Sequence, residues 1–107
     1  MVTFYVANNS DEAAHAEMYM NLPESLHRFL YDEFKSTKEL EIITQLSFYG
    51  EVVVFNRNEI NMLKELREIF KDYEGRNKRK IQAFFIQLQD LCNKAIEDDK
   101  LIVTIAD

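Results

Sequence analysis

Two histidines, one cysteine and one run of basic residues are the groups in this 107-residue chain whose types could do chemistry. His15 has Asp11 four residues before it and His27 has Glu24 three before it. On a helix, either spacing puts a carboxylate beside an imidazole, as a general base or half a metal site would need. Each pair supplies only two ligands and spacing offers no third, so both histidines are expected on the surface of acidic helices, with no metal and no cofactor. Cys92 falls among regularly spaced apolar residues, where a thiol packs rather than reacts. The two glycines, Gly50 and Gly75, lie far apart at turn or cap positions and make no phosphate cradle. No nucleophile, base and stabiliser converge by spacing, so the expectation is a protein that is not an enzyme.

Charge offers two further constellations. The run Arg76-Asn77-Lys78-Arg79-Lys80 opens a helix, where free backbone N–H groups also attract anions, and Arg76, Lys78, Arg79 and Lys80 form a candidate anion site. It sits beside Asp72 and Glu74 in a chain of net charge −6, which disfavours nucleic acid as a general partner. The first fifty residues carry eight acids and three bases, net −5, whereas the remainder is nearly balanced. In that acidic half Asp11, Glu12, Glu17, Asp32 and Glu33 are interleaved with Tyr19 and Tyr31, and these seven are the expected partner-binding residues. Carboxylates steer a basic protein towards the surface and tyrosines supply contact area.

The elements that position these groups follow from apolar spacing. Val2 to Ala7 reads as a strand, and Asn9 with Glu12 as a capping box that starts a helix running to about Met20. Pro23 suits the first turn of a second helix, whose buried stripe is Leu26, Phe29, Leu30 and Phe34, with Glu33 in the same sector. Ser36 to Glu39 could cap a third helix, but between Glu41 and Phe48 the alternation of Ile42, Thr44, Leu46 and Phe48 favours a strand. Tyr49-Gly50 would turn it into a hairpin with Val52 to Phe55. The stretch Asn56 to Asn58 caps a helix from Glu59 to about Glu74, with Met62, Leu63, Leu66, Ile69, Phe70 and Tyr73 as its buried stripe, ended by Gly75. The longest helix spans Arg76 to Lys100, its stripe running from Ile81 to Ile96 through Phe84, Phe85, Leu88, Leu91, Cys92 and Ala95. Its start is basic and its end acidic, the wrong sign for the helix dipole at both ends. Leu101 to Ala106 is a final strand.

Strand, Asn-rich turn, two helices, strand describes both halves, a candidate β-α-α-β pseudo-repeat in which Val53-Val54-Phe55 echoes Phe4-Tyr5-Val6. Two helices between strands return the chain to its starting end and favour antiparallel pairing. The predicted class is α+β, a single domain over residues 1–107 with a mostly antiparallel sheet of about four strands and four helices. No stretch approaches the roughly 18 apolar residues that span a bilayer, and the first residues lack the basic and apolar segments of a signal peptide. With a single cysteine, these features lead to the expectation of a cytoplasmic protein. In size, charge and composition the chain resembles, as a class, the immunity proteins and antitoxins that neutralise small bacterial nuclease toxins. That resemblance implies a basic partner, such as a toxin domain, held by carboxylates that mimic phosphates. The alternatives are a small nucleic-acid-associated or regulatory factor using Arg76 to Lys80, and a structural homo-oligomer paired through edge strands.

Overall fold

The computed structural model describes all 107 residues. Four strands, β1 (Val2–Val6), β2 (Tyr19–Leu22), β3 (Val52–Phe55) and β4 (Ile102–Ala106), form one antiparallel sheet in the order β2-β1-β4-β3. The fold is therefore α+β. The first and last strands lie side by side at its centre, and β2 and β3 are its edges.

The helices are α1 (Ser10–Ala13), α2 (Glu24–Phe34), α3 (Glu41–Thr44, entered through a 3₁₀ turn at Lys38–Leu40), α4 (Arg57–Ile69) and α5 (Lys78–Glu97). Alternation along the strands sends Val2, Phe4, Val6, Met20, Leu22, Phe55, Ile102 and Ala106 into one cluster with the buried residues of α2, α3, α4 and α5. These four helices thus cover one face of the sheet. Within that layer Phe70 stacks on Phe85 at 4.7 Å, while Phe4 meets Phe84 edge-on at 6.1 Å. Every α5 residue assigned to the apolar stripe is buried except Ile96, which is partly so. No helix is long and apolar enough to cross a membrane.

Two expected elements are corrected. The first helix lasts a single turn. Asn9 caps it as expected, accepting from the Glu12 N–H at 2.9 Å, while Glu12 Oε2 accepts from the Asn8 N–H at 2.9 Å rather than closing the box on Asn9; Tyr19 to Leu22 pairs with β1 as a strand. Met20 and Leu22 are buried there and Tyr19 and Asn21 exposed, a two-residue period too short to outweigh the helical start in the sequence. The second correction is at Glu41 to Phe48, which forms no strand. Leu40, Ile43 and Leu46 are the buried apolar residues, a spacing of three that suits the 3₁₀ turn and α3, with Thr44 buried beside them, and α3 packs beside α2.

Helix α4 also ends earlier than its apolar pattern, at Ile69 rather than Glu74. Gln82 of α5 explains the stop: its Nε2 donates to the carbonyls of Phe70 (3.0 Å) and Lys71 (3.3 Å), so the chain turns away with those groups satisfied. At Gly75 a Cβ would collide with the Tyr73 ring, itself wedged edge-on against Phe34 and Phe70, so glycine is required by close approach. The start of α4 is a full capping box, with Glu59 N–H to Asn56 Oδ1 at 2.9 Å and Asn56 N–H to Glu59 Oε1 at 3.0 Å.

Candidate functional site

The face of the sheet turned away from α2 to α5 is uncovered over about half its side chains, on the two edge strands. Eight side chains point there in two rows across the strands: Tyr19, Tyr5, Val103 and Val54, then Asn21, Thr3, Ile105 and Val52. None is charged, in a chain where 30% of residues are. Solvated faces of antiparallel sheets normally carry polar or charged side chains, so a face of two tyrosines and four aliphatic residues is unusual. Only α1 lies on it, where Ala13 and Ala7 bury Val103. Tyr19 (59%), Val52 (52%) and Val54 (42%) remain exposed. Tyr5 and Tyr19 stand with ring centroids 6.0 Å apart, and Thr3 Oγ1 donates to Asn21 Oδ1 at 2.9 Å, which holds the two rows in place.

Acidic residues frame this face. The single turn of α1 carries Asp11 and Glu12, and Glu17 lies two residues before Tyr19, so four expected partner-binding residues come together at one end of the sheet. Glu51 and Asp107 flank the strand ends opposite. Arg57, which follows β3, is held by Asp99 at 3.2 Å, and the Met1 ammonium donates to the Asp107 oxygen at 3.0 Å. Next to α1 a cleft of about 650 Å³ contains Glu12, His15 and Glu17 together with Lys94, Asp98 and Lys100. Its charges are mixed and partly engaged, since Lys94 lies 3.3 Å from Asp98, and no group of three metal-ligating side chains occurs anywhere in the chain.

Tyr31, Asp32 and Glu33 are not part of this arrangement. They lie on α2, in the helical layer, where Tyr31 meets Phe48 edge-on and Glu33, exposed rather than core-facing, lies 3.8 Å from Arg76. The expected acidic surface is therefore two separate regions. The basic run is partly neutralised from within: Lys78 Nζ donates to both carboxylate oxygens of Glu74 at 2.9 Å, and Arg76 also lies over the Phe29 ring at 5.4 Å. Arg79 and Lys80 make no ion pair.

His27 departs furthest from its expected surface position. Its ring is buried and stacks on Phe48 at 3.9 Å, and the Arg28 guanidinium also lies over the Phe48 ring, 4.8 Å from its centroid. Neither imidazole nitrogen has a hydrogen-bond partner; the Leu46 backbone approaches and favours the charged ring without completing a bond. Burial outweighs that contribution and lowers the imidazole pKa below its ordinary value. Close by, the Tyr49 hydroxyl donates to Glu24, which lowers the carboxyl pKa and raises that of the phenol. Cys92 is buried as expected, its thiol pushed up to about 12 by desolvation, which removes it as a nucleophile.

Sequence reasoning missed Tyr5, Val52, Val54 and Ile105, which were assigned simply to strands. The available signal was that both alternating sets in β1, β3 and β4 are free of charge, which leaves no polar face for water. Comparison of the chain with protein-family models, with curated proteins and with solved structures gives no significant match. The functional reading therefore rests on this geometry.

Proposed function

We propose that this chain is a non-enzymatic binding protein that seats a basic protein partner on the open face of its sheet, acting as an inhibitor of the immunity-protein or antitoxin type. The observation that carries the reading is the uncharged Tyr5–Tyr19–Val52–Val54 surface with Asp11, Glu12, Glu17, Glu51 and Asp107 around it. Aromatic and aliphatic groups at the centre of an interface supply desolvated contact, and a charged rim supplies steering and partner choice. Self-association through the same face would bring acid against acid, so a basic protein fits better than a second copy. Carboxylates placed at the rim also suit a phosphate-binding partner, whose Lys and Arg side chains they would occupy.

One observation favours a second reading, a homo-oligomer. Strand β3 is an edge strand of sequence Val-Val-Val-Phe with no charge, proline or bulge to protect it, and such edges pair with other strands.

The test immobilises the wild-type chain and two double variants, Tyr19→Ser with Val54→Ser and Arg79→Glu with Lys80→Glu, and exposes them to extract of the source cells at low salt. The expected result is a basic protein held by the wild type and by the Arg79/Lys80 variant, released by salt, and lost by the Tyr19/Val54 variant. Retention of nucleic acid, abolished by the Arg79/Lys80 variant, would move the function to the basic turn. A dimer of the wild type in sedimentation would favour pairing through β3.

A further inference from the structure

Helix α4 carries an apolar flank that neither the core nor the sheet face uses. Met62 and Ile69, two turns apart, are 52% and 43% exposed although their helical spacing assigned them to the core. With buried Leu66 between them they form the floor of a groove of about 560 Å³, and the other lining residues are Glu39, Glu65 and Glu68. None of these three carboxylates takes part in an ion pair. The cations of α4 are on its other flank, where Arg67 donates to Gln89 of α5 and Lys64 stands three residues before it.

We infer that this groove docks a basic amphipathic helix, with apolar residues in the groove and Lys or Arg beside the three glutamates. Charge complementarity selects the partner: the lining has three acids and no base, so a cationic segment gains attraction and a second copy of this chain meets repulsion. Geometry selects a helix over a strand. The groove is walled by α4 and the 3₁₀ turn at Lys38–Leu40, whose backbone groups are committed to their own turns and offer no edge for strand addition. Met62 to Ile69 spans about 10 Å along the helix axis, which matches about two turns of a docked helix with anchors at i, i+3 or i+4, and i+7. The groove lies in the helical layer, opposite the open sheet face, so the inference stands or falls independently of the function proposed above.

A fluorescently labelled amphipathic peptide of Leu and Lys, about fourteen residues long, tests it by anisotropy. The controls are a scrambled peptide of equal composition, which has no apolar face, and a Leu/Glu peptide. The helical Leu/Lys probe is expected to bind more tightly than both controls. Ile69→Ser should weaken it about tenfold, Glu65→Gln with Glu68→Gln should weaken it and flatten its salt dependence, and Tyr19→Ser should leave it unchanged. The altered side chains are all exposed, and circular dichroism checks that each variant folds. Absence of binding, equal binding of the scrambled peptide, or indifference to Ile69→Ser would overturn the inference. So would a wild-type dimer that Ile69→Ser dissolves, since the occupant would then be a second copy.

Discussion

The two faces of the sheet are built from the same four strands and meet different surroundings. On the covered face Phe4, Leu22 and Ile102 are fully buried beneath α2 to α5, whereas on the other Tyr19 and Val52 keep more than half their surface in solvent. Each strand therefore carries two sets of side chains under different constraints. The covered set is constrained by close packing, where losing even one methylene is felt. On the other face only Val103 and Thr3 are buried, and the exposed Tyr19, Val52 and Val54 have no such constraint from within the chain, so an apolar composition at those positions adds little to stability. A surface that costs solubility without contributing to the core is where binding function is expected.

The contrast can be broken most directly at Phe84, which is buried against Phe4 and Phe85. Phe84→Ala should cost about 3–5 kcal/mol in urea unfolding, and a loss below about 1 kcal/mol would deny that the covered face holds the fold together. His27 sharpens the comparison within the helical layer. Because burial lowers its pKa in the folded chain, the unfolded chain binds the proton more readily. Stability is then complete above the ordinary imidazole value of about 6.5 and declines as pH falls below it. His27→Phe keeps a ring against Phe48 and should flatten the dependence between about pH 7 and pH 5, measured by thermal unfolding across that range. Glu24, Arg28, Tyr31 and Tyr49 surround the site. The Glu24 carboxyl, whose folded pKa is lowered by Tyr49, loses its contribution only at more acidic pH, below its ordinary range. The smallest effect on stability belongs to the open face, where Tyr19→Ala or Val54→Ser should change unfolding free energy by no more than about 0.5 kcal/mol. An appreciable loss there would mean that this face also holds the fold together.

Much of the fold was legible from periodicity. The stripe of α5, the N-caps at Asn9 and Asn56, the strands at both ends of the chain, the Val52 to Phe55 strand and the α+β class all stand as expected. What misled was local ambiguity. Between Leu40 and Phe48 apolar residues satisfy both a period of two and a period of three, and α2 supplies the neighbour that makes the second one pay. After Ala13 the helical start is outcompeted by a hydrogen-bond partner, β1, that sequence distance hides. Of the seven candidate binding residues, Asp11, Glu12, Glu17 and Tyr19 lie together at one end of the sheet, while Tyr31, Asp32 and Glu33 lie apart from them on α2, joined to them only by nearness in sequence.

Local chemistry, written residue by residue, was sufficient for the helices with long stripes and caps, because a turn of helix is closed by residues three and four apart. The sign of the charges at the two ends of α5 was also set by sequence alone. Two of those charges pair locally, Lys78 with Glu74 and Asp98 with Lys94, but the fold decided that Glu33 reaches Arg76 and Arg57 reaches Asp99, while Arg79 and Lys80 are left without an ion pair. Tertiary structure alone decided which face of each strand is covered, that His27 is enclosed, and that Met62 and Ile69 are left in water. Burial depends on what packs across from a residue, and a one-dimensional pattern contains the side chain but not its neighbour.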